Sequence, residues 1–204
     1  MASAHGPARR GTTPRRADAE RNIATIIATG LDLFSRNADV SMGDVAKAAG
    51  LGRVTVYAHF PTRADLLHAL VEHAITDSEQ AMDREPIDPD ESADQTLTRL
   101  IAATWRILDR YRKLRTHALT ELGPGQLNQQ HDPIRHRLEK LITLGQDQGR
   151  FRTDLPVDWM VTTIFGLVHT AADEIEAGRL SPDTTPQLLT ATLQAALAAR
   201  PGHQ

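Results

Sequence analysis

Apolar residues recur at three- and four-residue steps along most of this chain, which is the spacing of amphipathic helices. The first such stripe begins after residue 16 and ends near Arg36, and the last one follows Pro186. We count about nine predicted helices and no convincing strand. The pattern therefore predicts an all-α protein.

One short stretch, GLGRVTVYAHFPTR over residues 50–63, departs from the helical pattern. Its β-branched run, Val54 to Val56, favours a strand by propensity alone. No second alternating run lies within about thirty residues on either side, and a lone strand would leave its backbone groups unpaired. The neighbouring segments must therefore decide the interpretation.

The segments on both sides of this stretch predict helices. Ser41 and Asp44 are placed to cap a short helix before it, and Thr62 and Asp65 resemble a capping box that opens a longer helix after it. A short helix, a turn with two glycines and a second short helix make a helix-turn-helix, whose second helix lies in the DNA major groove. The unusual stretch is therefore predicted to be that second helix.

The two faces of this short helix should differ in function. At 100° per residue, Val56 and Phe60 share one face and can pack against the preceding helices. Small side chains on the outward face can approach base edges, where a valine suits a thymine methyl and an arginine suits guanine, and the flanks can meet phosphates. The candidate DNA contacts on the outward face and its flanks are Arg53, Val54, Thr55, Tyr57 and His59.

Charge is distributed unevenly along the chain, although the formal net charge is only −3. The first 70 residues carry nine Lys and Arg against six Asp and Glu, whereas the remainder carries 14 against 20. A basic front on an acidic body is typical of a local polyanion site, and a charged tail would give the same bias. Residues 1–16 hold four arginines and no acid, and we expect them to be a disordered basic tail.

The composition also narrows the setting in which the protein works. The chain has no cysteine, which removes disulfides and thiolate metal sites and suits a reducing compartment. No apolar run approaches the roughly 20 residues of a spanning helix, and the first residues lack the centre of a secretion signal. We therefore expect a cytoplasmic protein with no membrane partner.

The segment from Val40 to Leu67, VSMGDVAKAAGLGRVTVYAHFPTRADLL, resembles the tetracycline-repressor (TetR) family of bacterial transcription regulators. The capped DVAKAAGL, the core of TVYAHF and the basic residue before DLL carry the resemblance, which covers about fifty residues with the first helix. The resemblance implies groove contacts by Arg53, Val54 and Thr55. It also implies phosphate contacts by the start of the second helix, around Ser41 and Gly43, and by Tyr57, His59 and Arg63.

Two positions depart from the family pattern. Met42 stands where the family often has a hydroxyl residue, and Ala58 stands where it often has an aromatic residue. One or two backbone contacts are therefore expected to be missing. The arginine-rich tail could compensate by reaching the adjacent groove, or it could remain solvated.

The remainder of the chain is expected to bind a small molecule and a second copy. We divide the chain into the tail (1–16), a helix-turn-helix domain (17–78) and a ligand-binding and dimerisation domain (79–204). A hollow helical bundle needs a few polar groups to orient a ligand, although the same residues could simply be core. The candidate cavity residues are Trp105, His117, Phe165 and His169.

Metal, cofactor and catalytic sites are not predicted. The nine histidines invite a metal interpretation, but neither His131 with His136 nor His68 with His73 has the i, i+4 step of a helical metal site. Nucleophile elbows, phosphate-binding glycine loops and recognisable carboxylate pairs are also missing from the sequence.

The sequence thus predicts a ligand-responsive DNA-binding regulator, in our interpretation a repressor. Two copies would pair through the last two helices, 156–178 and 186–200, and bind a near-palindromic DNA operator that a small-molecule effector releases. The alternative is a helical small-molecule-binding protein or enzyme whose N-terminal head does not bind specific DNA.

Overall fold

The computed structural model describes residues 14–36 and 39–199, and within these ranges the protein is helical. An isolated antiparallel bridge between Phe151 and Ala198 is the one β-type pairing in the described residues. The all-α prediction is therefore confirmed. The described chain forms eight helices: α1 (Pro14–Arg36), α2 (Met42–Ala48), α3 (Arg53–His59), α4 (Arg63–Asp83), α5 (Ala93–Gln130), α6 (Asp132–Asp147), α7 (Val157–Glu176) and α8 (Thr185–Leu197).

Two predicted boundaries need correction. The first helix begins at Pro14, so the last three residues of the predicted disordered tail are helical, while residues 1–13 lie outside the described ranges. The count of about nine helices falls to eight because two predicted helices belong to α5. This helix runs without interruption from Ala93 to Gly123, where φ is 77° and ψ is 164°, and continues after Pro124. The charged residues between the two apolar stripes form an exposed or half-buried face instead of a loop.

The helix-turn-helix forms through the capping signals that the sequence predicts. At the start of α2, the Ser41 hydroxyl accepts from the Asp44 backbone N–H at 3.2 Å, and the Asp44 carboxylate accepts from the Ser41 backbone N–H at 2.9 Å. Thr62 and Asp65 make the same reciprocal pair at the start of α4. Gly50 follows α2 with φ 67°, a left-handed conformation that glycine adopts at little cost.

Two hydrophobic cores organise the molecule. The first lies among α1 to α4 and includes Phe34, Val45 and Val56, and α5 contributes Leu114 and Ala118 to it. The second lies among α5 to α8 and includes Met82 from the end of α4. Because α5 contributes to both cores, the head formed by α1 to α4 rests directly on the body formed by the other helices.

The body is closed by close contacts between distant segments. Phe151 packs its ring directly on Gly145 of α6, and a Cβ at that glycine would lie 2.1 Å from Phe151 Cδ2. The backbone of Arg152 donates to Leu197 O at 2.8 Å, which ties the end of α8 to the loop after α6. Among the described helices, none combines the length and the apolar character needed to cross a membrane.

Candidate DNA-binding surface and effector cavity

The short helix α3 presents one face to the core and the other to solvent. Val56 is 0% exposed and Phe60 is 8% exposed, whereas Val54 is 85% exposed. Tyr57 is 47% exposed, and Arg53 and Ala58 are also exposed. The sequence prediction of a helix held by Val56 and Phe60, with a free outward edge, is therefore confirmed, and its contacts with DNA stay a prediction.

Arg53 lies across the first turn of α2. A Cβ built on Gly43 would be 2.9 Å from Arg53 Nη2, so the glycine allows the guanidinium to approach the α2 backbone closely. Hydrogen bonds from Ser41 lower the pKa of Asp44, and the positive charges of Lys47 and Arg53 add to this effect. The structure thus groups Ser41, Gly43 and Arg53 at one edge of the head.

Thr55 and His59 remain partly exposed on α3, whereas Arg63 is turned towards the body. Its Nη1 donates to Glu121 Oε2 at 2.8 Å, and its Nε donates to Val40 O at 3.3 Å. The guanidinium also lies 5.3 Å from the centre of the Phe34 ring. The predicted phosphate contact of Arg63 therefore has a competitor inside the protein, the carboxylate of Glu121.

A cavity of about 130 Å³ lies where α4 of the head meets the body, with walls from α4 to α8. Trp105, Phe165 and His169 line it, and Trp105 Nε1 donates to Pro182 O at 3.1 Å. His117 is not among the lining residues, contrary to the sequence expectation, because its ring packs edge-on against Phe34 at 5.3 Å. Twelve residues along a helix turn the side chain by about 120°, which places Trp105 and His117 on different faces of α5.

His131 also lines the cavity. From the sequence alone, this residue is considered only as a metal ligand, a role that its spacing from His136 excludes. It lies 5.6 Å from the Phe165 ring and 5.8 Å from the His169 ring. Its Nδ1 lies 2.6 Å from Leu127 O, and because a carbonyl can only accept, Nδ1 carries the proton and Nε2 is left as an acceptor. The position of His131 at the junction of α5 and α6 was its only sequence signal.

Both cavity histidines are uncharged at neutral pH. Burial lowers the pKa of His169 to about 3, and the charge of Arg115 adds to the shift. Burial also lowers the pKa of His131, with a further contribution from the same arginine. Across the described parts of the chain, no three His, Cys, Asp or Glu side chains gather as a metal site would require.

These features define a two-part helical protein, in which a helix-turn-helix head rests on a body that encloses a cavity. The family model of bacterial regulatory proteins, tetR family, matches residues 26–70, which span most of this head. The HTH-type transcriptional repressor LfrR of Mycolicibacterium smegmatis is 37% identical over 65 residues, which are 32% of this chain and 34% of that protein. The HTH-type transcriptional regulator SAR0097 of Staphylococcus aureus is 36% identical over 64 residues, 30% of this chain and 34% of that protein. The matched segment thus spans about a third of these curated relatives.

Solved structures extend the similarity of fold to most of the chain. A putative transcriptional regulator from Saccharomonospora viridis in complex with choline has a TM-score of 0.72 at 23% identity, over 89% of this chain and 100% of that one. LfrR from Mycobacterium smegmatis in complex with proflavine has a TM-score of 0.67 at 21% identity, over 88% and 98%. FadR from Bacillus subtilis in complex with stearoyl-CoA has a TM-score of 0.71 at 17% identity, over 85% and 98%. The head thus matches the family model of bacterial regulatory proteins, tetR family, and most of the chain has the fold of these solved structures.

Proposed function

We propose that the protein is a ligand-responsive transcriptional regulator, a repressor, that binds a near-palindromic DNA operator as a homodimer and is released by a small-molecule effector. The observation that carries the proposal is the exposed edge of α3, where Val54 is 85% exposed on a helix that the fully buried Val56 holds against the core. A short helix held in this way fits a major groove. Because its partner is DNA, the protein acts in the cytoplasm.

The predicted contacts divide between sequence reading and positioning. Arg53, Val54 and Thr55 face the bases, and the remaining candidates, at the start of α2 and on the flank of α3, meet phosphates. Arg53 lies beside the first turn of α2, so one arginine is near both kinds of contact. Glu121 competes with a phosphate for the Arg63 guanidinium.

The last two helices support pairing with a second copy. Helix α8 contains no charged residue, and α7 contains no Asp, Glu, Lys or Arg between Asp158 and Asp173. Their exposed faces include Trp159, 59% exposed, and Leu188, 50% exposed. Uncharged helix faces with large apolar side chains are costly in water, and two copies related by a twofold axis would cover them as a four-helix bundle.

The cavity is placed to influence the head. Val71, Ile75 and Ser78 of α4 line the cavity, and Leu66 and Leu70 of the same helix belong to the core of the head. An effector that binds one arrangement of α4 more tightly than another would therefore change the spacing of the two heads on the operator.

DNA binding is tested by fluorescence anisotropy with duplexes that flank the protein's own gene, and with scrambled duplexes of equal length. We expect a preference for one near-palindromic site and a strong salt dependence. Arg53→Ala should weaken that site by about 1 to 3 kcal/mol and reduce the preference over scrambled DNA. Arg150→Ala, which removes a cation from the body, is the matched control and should change neither value. If the wild type binds all duplexes with equal affinity at every salt concentration, it does not recognise a specific site. That result would favour the alternative, a ligand-binding protein whose N-terminal head does not bind specific DNA.

Dimerisation is tested by light scattering. Leu188→Lys places a charge on the uncharged face and should give monomers, whereas Thr143→Lys on the exposed face of α6 should leave the dimer intact. A Leu188→Lys protein that remains dimeric would place the interface elsewhere.

A further inference from the structure

The charged groups that line the cavity carry one sign. Arg112 and Arg115 line it, together with the uncharged His131 and His169, and no carboxylate from the described residues does. The acids that pair with the two arginines lie outside the lining. Asp173, the partner of Arg115, and Glu176, a partner of Arg112, have side chains that are 60% and 41% exposed. The lining therefore contributes two guanidinium groups and no carboxylate, and the acids that pair with these guanidinium groups are not lining residues.

Arg115 has the greater free hydrogen-bonding capacity of the two arginines. Its Nη1 donates to Asp173 at 2.9 Å, which uses one of the five N–H donors of a guanidinium. Arg112 is engaged more fully, because it donates through Nε to Glu176 and through Nη1 to Asp109. Arg115 also acts on both cavity histidines, whose pKa values its charge lowers.

The rest of the wall requires an apolar body. Most lining residues are aliphatic or aromatic, among them Leu100, Ile101, Ile164 and Val168. A bound cation would find no carboxylate in the lining to pair with, and a small hydrophilic anion would leave the apolar wall without contacts.

We propose that the effector is an amphipathic acid, with an apolar body in the cavity and an anionic head bound by Arg115. His131 Nε2 accepts a hydrogen bond from a hydroxyl or N–H group on the apolar body where one is present, because its Nδ1 proton is committed to Leu127 O. This inference rests on the proposed role of the cavity as the effector site, and it adds the chemical class of the molecule.

The test compares molecules that differ only in their head group, by isothermal titration calorimetry on the full chain without DNA. One set is octanoate, 1-octanol and octylammonium, and an aromatic set is 2-naphthoate, 2-naphthol and 2-naphthylmethylammonium. We expect an acid to bind most tightly in at least one set, by about tenfold or more over the neutral analogue, and the ammonium ions not to bind. Tighter binding of an ammonium ion, equal binding within both sets, or no binding of either acid would overturn the proposal.

Variants of Arg115 test the anchoring role. Arg115→Met keeps the apolar stem and removes the charge, so it should lose the advantage of the acid while the affinity for the neutral analogue is unchanged. Arg115→Lys should recover part of the advantage, and Arg150→Met, outside the cavity, should behave as the wild type. If the folded Arg115→Met variant binds the acid as tightly as the wild type does, Arg115 does not anchor the anionic head.

The effector role is measured separately, by adding the tightest acid to a preformed complex with DNA. Release of DNA supports both proposals together. Arg115-dependent binding of the acid with no change in DNA affinity would leave the ligand class standing and would count against the regulatory role of the cavity.

Discussion

Val54 and Val56 lie two residues apart on opposite faces of α3, so substitutions at these positions can distinguish a role in folding from a role in DNA recognition. Val56 is 0% exposed and Val54 is 85% exposed, and each can be changed to alanine. Removing two buried methyl groups costs about 0.8 kcal/mol each, and the remaining cavity adds to this, so Val56→Ala should lower the free energy of unfolding by about 2 kcal/mol. Val54→Ala removes little buried surface and should stay within about 0.5 kcal/mol of the wild type.

Urea denaturation followed by circular dichroism measures the first effect, and for a chain of this size a loss of 2 kcal/mol lowers Tm by about 4 to 8 °C. Anisotropy with operator DNA, at a temperature where both variants are folded, measures the second. Val54→Ala should bind the preferred site at least about fivefold more weakly, because it loses an apolar contact with a base edge. Val56→Ala should bind much as the wild type does. If Val54→Ala is strongly destabilised, or if it keeps full affinity for the preferred site, the assignment of the two faces is wrong.

Three further predictions concern packing, the contact between head and body, and pH. Gly145→Ala should lower the free energy of unfolding by about 1 to 2 kcal/mol in urea, because the new Cβ meets the buried ring of Phe151 and this overpacking outweighs the gain in helix propensity; an unchanged midpoint would refute it. Glu121→Gln should cost less than about 1 kcal/mol, since both partners are partly exposed, and should raise affinity for any duplex a few-fold with a steeper salt slope as Arg63 becomes available to phosphate. The pKa of His169 is about 3 in the folded protein and near 6.5 in the unfolded chain. Between pH 6.5 and pH 3 the imidazole is therefore protonated in the unfolded state alone. The free energy of unfolding thus falls as the pH decreases through this range. Relative to His169→Gln, the wild type should lose up to about 1.4 kcal/mol of unfolding free energy per pH unit in urea titrations over that window. Equal pH dependence of the two proteins would contradict this expectation.

The head could be predicted from the sequence because its determinants are local. The capping pairs are three residues apart, and the buried face of α3 depends on Val56 and Phe60, which are four residues apart. Such signals depend on helix geometry alone, so they do not require knowledge of what else is nearby.

The cavity could be predicted only in part, because its walls come from helices far apart in the chain. Periodicity shows which face of a helix is buried, but it does not show which of two cores that face enters. The sequence pattern therefore places His117 in the cavity, although its ring packs on Phe34, and it does not single out His131 as a cavity residue. The Arg63 to Glu121 ion pair spans 58 positions and has no sequence signal for the same reason.

The break in α5 also bears on how this protein can be engineered. Glu121, which holds the head, and His131, which faces the cavity, lie on opposite sides of Gly123, whose φ of 77° strongly disfavours any residue with a side chain. Mutant libraries designed to make a biosensor for a new compound can therefore vary many residues of the cavity wall, but they should keep glycine at position 123. If a variant binds a new compound but no longer releases DNA in response, codon 123 should be checked first.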